Sequence, residues 1–185
     1  VINLGEMKQK VLNWAQRFNT FCFLDNHQYQ IEPHTLECIL AAGIRRKVSA
    51  NTGNALELLQ QFIDAKRSWL FGYLGYDLKN DVEQISSSHS DNIQFPDLFF
   101  YEPEIIIRLN EKEMIIEANE PEEIFESISK GNENRKESLQ SSLIIRSRIQ
   151  KDEYLSIINQ LQKHILRGDC YEINFCQEFY SEHVI

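Results

Sequence analysis

Residues Arg167 to Phe179 read RGDCYEINFCQEF. With period two, Tyr171, Ile173, Phe175, Gln177 and Phe179 share one side. Cys170, Glu172, Asn174, Cys176 and Glu178 share the other. One side is mostly apolar, which predicts a strand. Gly168 and Asp169 close the helix before it. In that helix Tyr154, Ile157, Ile158, Leu161 and Ile165 form a stripe that predicts burial, with Lys151 or Asp152 near its start. A short strand, IRSRIQ, precedes it. SEHVI alone follows the terminal strand, so its sheet neighbours have to be found elsewhere.

Upstream, the same two periods alternate. Met7, Val11, Trp14, Ala15 and Phe18 recur at spacings of three and four, which predicts an amphipathic helix over Glu6 to Phe18. TFCFLDN reads as a strand ending in a turn, and LECILAAGIRRKVSA as two strand-like pieces around Gly43. After Gly53-Asn54, the residues Leu58, Leu59, Phe62 and Ile63 make a helical stripe. WLFGYLGYDL is a strand interrupted by two glycines, and SSSHSDN a polar loop. FPDLFFYEPEIIIRLNEKEMIIEAN predicts strands joined by a hairpin at Asn110 to Glu113. Pro121 and the acids after it open a helix through Ile128. Hairpins outnumber any βαβ rhythm, so the expected class is α+β, with mostly antiparallel sheets packed with helices. The segment KGNENRKESLQSS, Lys130 to Ser142, is the best linker. It divides residues 1–142 from residues 143–185.

The chain has 185 residues, 42% of them hydrophobic and 25% charged, ordinary for a globular protein. That length can bury a core without disulfides or metals. A net charge of -9 argues against a nucleic-acid backbone or an anionic membrane surface as main partner. Cys22, Cys38, Cys170 and Cys176 form no CxxC pair and read as reduced, structural thiols in a cytoplasmic protein. No run approaches the roughly 18 apolar residues of a membrane span. No secretion signal precedes the first helix, and without an initiator Met the start reads as trimmed.

Motifs that carry chemistry are sparse. His27, His34, His89, His164 and His183 are scattered, none at a metal-ligand spacing from Cys, Asp or Glu. There is no GxSxG, Walker loop or HExxH. GYLGYD, Gly72 to Asp77, does not match GxGxxG; glycines in such a run mark a kink or close backbone approach. Asp25 and Asn26 have two readings. One is a turn that ends the strand, which periodicity favours. The other is a polar lip over an apolar pocket closed by Pro33, His34, Thr35 and Leu36. Glu172 and Asn174 share a side with two thiols; a half-buried carboxylate there would titrate abnormally, and the equal alternative is a face that is wet or covered by a later part of the chain.

YLSIINQLQKHILRGDCYEINFCQEF resembles the start of the chorismate-binding domain in the anthranilate synthase component I family. There a helix ending in Gly-Asp leads into a strand of the form GDCYQVNLAQRF. FCFLDN resembles the family's apolar strand ending in Leu-Leu-x-Ser. LECILAAG, WLFGYLGYDL and FPDLFFYEPEIII follow in the family's order, so the resemblance covers almost the whole chain. GDCY with its following Asn174 is closer to the aminodeoxychorismate branch than to the anthranilate branch, which more often has GDIFQVV. Glu172 departs from the family's usual Gln.

The resemblance implies that residues 1–142 are the family's N-terminal domain and residues 143–185 the first helix and strand of its catalytic domain. It implies further segments that complete the sheet, carry the glutamates that hold Mg2+ on the substrate, and supply a nucleophilic lysine in Pro-Ile-Lys-Gly-Thr. On that expectation no catalytic residue and no metal ligand belongs to these 185 residues, and the open strand is an aggregation liability if the chain stops here. For the whole enzyme it implies chorismate as substrate, Mg2+ as cofactor, and ammonia from a glutamine amidotransferase subunit. The lysine would form a covalent intermediate that ammonia displaces. It also implies a tryptophan pocket at Asn26, Pro33, His34, Thr35 and Leu36, with Asn26 in the place of the usual Ser. The rival readings are anthranilate synthase component I, which shares fold and substrate, and a ligand-binding module without catalysis.

Overall fold

The computed structural model describes residues 3–29, 36–83, 85, 91, 93–131 and 144–181. The chain divides into two compact units, Val1–Arg135 and Lys136–Ile185. The division falls within residues 132–143, outside the described set, as do the boundary expected at Ser142 and most of the expected linker.

The first unit opens with helix α1, Leu4–Ala15, where the Asn3 side chain accepts from the Glu6 N–H at 3.3 Å. Strands β1 (Phe21–Asp25) and β2 (Cys38–Ala42) follow, then β3 (Arg46–Ala50) and helix α2 (Ala55–Ala65). Strand β4 is Phe71–Leu74. The expected strand stops there: Tyr76–Leu78 form a 3-10 turn and Lys79–Val82 a short helix, α3. Strands β5 (Leu98–Glu102), β6 (Ile105–Leu109) and β7 (Met114–Glu117) lead to helix α4, Pro121–Lys130. The expected hairpin joins β6 to β7, with Asn110 Oδ1 accepting from the N–H groups of Lys112 and Glu113.

Two antiparallel sheets result, ordered β1-β2-β6-β7 and β3-β5-β4. Strand β2 is buried along its whole length because both of its faces are covered. Leu40 and Ala42 face α1 and α4, joining Val11, Trp14, Ala15, Ile107 and Ile128. Ile39 and Ala41 face the other way, toward Phe71, Tyr101 and Ile106 of the layer between the sheets. There the Tyr101 hydroxyl donates to the Ala41 carbonyl at 2.9 Å. The far side of the second sheet packs Leu98 against Ala55 and Leu78, with Phe100, Val48 and Leu59 alongside.

The ends of α2 are held from outside the helix. Asn54 makes no side-chain cap, and the Asp81 carboxylate takes the N–H groups of Gly53 and Ala55 instead. At the other end Arg46 donates to the carbonyls of Phe62 and Lys66, its guanidinium lying 4.1 Å from the Phe62 ring centroid.

The second unit holds β8 (Arg146–Ser147), helix α5 (Lys151–Arg167) and β9 (Phe179–Tyr180), which pairs with β8. Gly168 stops α5 in the left-handed region at φ 87°. Two expectations need correction. The strand read over Tyr171 to Phe179 is paired only at its last residue, and residues 172–178 carry neither helix nor strand. The stripe of α5 is half-buried rather than buried, with Ile165 exposed; Tyr154 stacks on Phe175 at 5.2 Å. Period two specifies which side chains share a face. It does not supply the neighbour whose hydrogen bonds make a strand. The described residues cover that face only in part.

Gly72 shows why β4 tolerates nothing larger. A Cβ there would lie 1.9 Å from the Phe99 carbonyl oxygen, so β4 and β5 approach through the bare glycine backbone. Gly72→Ala is expected to lower stability by about 2–3 kcal/mol, read as a fall in the urea midpoint. Gly5→Ala is the control: its Cβ meets nothing closer than 3.9 Å on a helix, and it raises stability by about 0.5 kcal/mol.

Candidate functional site

The β1–β2 connection carries the residues expected to form a ligand pocket. Pro33, His34 and Thr35 lie outside the described residues. Leu36 is borderline exposed at the loop's return into β2. Asn26 stands directly after β1. Its backbone N–H donates to the Glu37 carbonyl at 2.9 Å, and its side-chain amide donates to the Tyr29 carbonyl at 2.7 Å. The same amide reaches Glu37 Oε2 at 3.5 Å. Asn26 therefore ties the two ends of the loop together. His27 and Gln28 between them have φ of 53° and 58°, backbone strain that the surrounding bonds hold in place.

Beneath the loop lies a charge cluster that reading by motif missed. Glu37 is 2% exposed. Lys8 Nζ donates to Glu37 Oε1 at 2.5 Å and to Asp25 Oδ1 at 2.7 Å. The Gln28 N–H adds a bond to Glu37 at 2.7 Å, and the His27 N–H one to Asp25 at 2.8 Å. Burial works against the charged form of both carboxylates, but Lys8 and these N–H groups outweigh it and hold both below the ordinary carboxylate range. Lys8 is likewise pushed down by burial, yet its two acids raise it above the usual lysine value. The signal was present in the sequence. Lys8 lies on the stripe of Leu4, Val11 and Ala15, and Glu37 leads an apolar strand; a cation and an acid in such places need each other. Next to Glu37, burial pushes the Cys38 thiol up to about 11.

A second cluster centres on Glu102, also buried. Lys66 Nζ and Arg46 Nε each donate to it at 2.6 Å, and Arg45 reaches it at 3.5 Å. Lys66 and Arg46 lower its pKa to about 2 against an opposing push from burial. A cavity of about 360 Å³ borders this cluster, and one of about 590 Å³ lies between the end of α1 and the start of α4. Neither includes Asn26 or Leu36.

In the second unit, Asp169 accepts from Arg167 and faces His164 Nδ1 at 2.7 Å, which fixes the chain just after α5. Arg167, then His164, hold its carboxyl below the ordinary range. Glu172 is exposed, as is Cys176, while Cys170 is half-buried. No three His, Cys, Asp or Glu side chains converge as a metal site among the described residues. Among them no helix is long and apolar enough to cross a membrane.

The acid clusters make the pH dependence specific. A carboxylate lowered in the folded state stabilises above its unfolded pKa and loses that contribution as pH falls through the folded value. Glu102 therefore supports the fold fully above about pH 4.5 and withdraws that support down to about pH 2. Glu102→Gln is expected to flatten the acid limb of urea midpoints measured against pH over that window. Lys8→Met removes the cation that meets both Glu37 and Asp25 and is expected to cost about 3 kcal/mol at pH 7, read from the same denaturation curves.

Comparison with known proteins places this architecture. The family profile described as chorismate binding enzyme matches residues 11–184. An anthranilate synthase component I-like protein from Synechocystis sp. is 29% identical over 119 residues, 62% of this chain and 24% of its own length. The crystal structure of anthranilate synthase component I from Streptococcus pneumoniae shares the fold at a TM-score of 0.50 and 18% identity. That match covers 79% of this chain and 42% of that one.

Proposed function

The chain belongs to the chorismate-binding enzyme family, and we propose that it is the N-terminal part of component I of an aminodeoxychorismate synthase. The chain spans 24% of the Synechocystis relative, so the activity proposed is that of a whole protein of family length. Its substrates are chorismate and ammonia, the ammonia delivered by a glutamine amidotransferase subunit. Its product is 4-amino-4-deoxychorismate, formed by exchange of a ring hydroxyl for an amine with loss of water, and Mg2+ is its cofactor. The family's nucleophile and metal ligands have no counterpart assigned among residues 1–185.

The observation that carries the branch is the sequence GDCYEINF at Gly168 to Phe175. Its first two residues perform a defined local task. Gly168 takes the left-handed turn that ends α5, and Asp169 is clamped by Arg167 and His164. The residues after them support the branch reading. Cys170, Tyr171 and Asn174 match the aminodeoxychorismate pattern more closely than the anthranilate one.

The test is the product made by the complete gene product given chorismate, ammonium and magnesium. Aminodeoxychorismate keeps the enolpyruvyl ether, whereas anthranilate formation releases pyruvate. The expected result is chorismate consumed without pyruvate release. Pyruvate appearing with anthranilate would move the assignment to the sister enzyme. No consumption of chorismate would leave a binding module.

The loop at Asn26, Pro33, His34, Thr35 and Leu36 is proposed to hold tryptophan. The loop's fixed base supports this: Asn26, Asp25, Glu37 and Lys8 form one bonded set beneath it. Calorimetric titration with tryptophan is expected to give a saturable heat that Asn26→Ala abolishes; no heat at millimolar tryptophan would remove the proposal.

A further inference from the structure

We propose that the cavity between the end of α1 and the start of α4 binds a small zwitterion, its carboxylate toward Arg17 and Arg45 and its ammonium toward Glu104, Glu120 and Glu123. This goes beyond the function proposed above and uses none of the residues of the Asn26 loop.

The first observation is an orphaned donor. Trp14 borders the cavity and is 4% exposed. Its indole N–H is buried and finds no acceptor among the described residues. Buried donors are almost always paired, so this one marks an unsatisfied group in the wall of the cavity.

The second observation is a set of charges that do not satisfy one another. Arg17 lies over the Trp14 ring, 5.0 Å from its centroid, and spends its Nε on the Trp14 carbonyl. It has no carboxylate partner among the described residues, which leaves its terminal nitrogens to the cavity. Among the described residues the Arg45 guanidinium reaches only Glu102, at 3.5 Å, and Glu102 is already met by Arg46 and Lys66 at 2.6 Å. Glu104, Glu120 and Glu123 make no ion pair among the described residues, yet all three border the same space. Two cations and three anions thus face one cavity of about 590 Å³ without closing on each other.

This pattern selects the ligand class. A simple anion would meet three carboxylates, and a simple cation two guanidinium groups. A molecule carrying both charges a few bonds apart meets each with its opposite. Ile105 and Ile124 also line the cavity and suit a short apolar side chain. An aliphatic α-amino acid has this chemistry.

The test uses the 185-residue chain, 15N-labelled and carrying Trp69→Phe. Trp69 is the second of two tryptophans and is half-exposed, so the substitution leaves Trp14 with the only indole resonance. The probes are L-leucine, its methyl ester, which lacks the carboxylate, and N-acetyl-L-leucine, which lacks the ammonium. L-Leucine is expected to move the Trp14 indole N–H resonance saturably at millimolar concentration. Each derivative is expected to bind about tenfold more weakly. Arg17→Ala and Glu104→Gln, both at exposed side chains, are expected to weaken leucine binding to a similar degree with unchanged thermal unfolding. Asn26→Ala is expected to leave leucine binding as it was, which separates this site from the tryptophan loop. The proposal falls if leucine moves nothing, if either derivative binds as well as leucine, or if neither charge substitution weakens it.

Discussion

Two stretches of chain cross from the first sheet to the second side by side, residues 43–45 going out and residues 103–104 coming back. Their backbones are bonded to each other across the bend. The Arg45 N–H donates to the Glu102 carbonyl at 2.9 Å and the Glu104 N–H to the Ala42 carbonyl at 3.1 Å. Gly43 makes the turn possible with φ of 74°, a value that L side chains reach only with strain. Because β2 runs into β3 where β5 runs into β6, the paired ladder is bent rather than broken. Both sheets inherit their register from it.

The bend also arranges the charges. Glu102 is the last residue before the return and Arg45 the last before β3, so acid and base are brought together by the backbone itself. Arg46 and Lys66 then neutralise Glu102 from the side of α2, which buries a carboxylate that would otherwise be expelled. The Lys8 cluster repeats this solution at the other end of β2, where α1 supplies the cation. Each buried acid therefore joins a helix to a sheet. The Glu102 cluster also borders a cavity of about 360 Å³ at the bend.

Much of this was legible in sequence because it is local. The stripes of α1, α2 and α5, the start of α4 at Pro121, the hairpin at Asn110, the stop at Gly168 and the close approach at Gly72 each follow from a few neighbouring residues. The turn reading of Asp25 and Asn26 was legible for the same reason. Lys8 and Glu37 could be flagged as out of place on apolar faces, but their pairing spans 29 positions and needs the fold to be seen. The Glu102 cluster is less legible still, since Arg46, Lys66 and Glu102 look like ordinary surface charges in a row of letters. The final segment failed in the opposite way. Its alternation is cleaner than that of β1, yet a strand is a relation between chains of hydrogen bonds, and period two records only one partner. The charges around Trp14 carried no motif, because they converge from α1, the bend and α4.

Strand β2 runs through the middle of all of this, and its first residue is a thiol. Alkylating and oxidising reagents attack the thiolate. Cys38 is sealed from solvent and kept protonated far above neutral pH, so in the folded chain it is chemically silent. Cys176 stands in the open. The same molecule thus carries a reactive handle and a latent one. The rate at which the latent one is labelled is a clock for how often the central strand comes free of its neighbours.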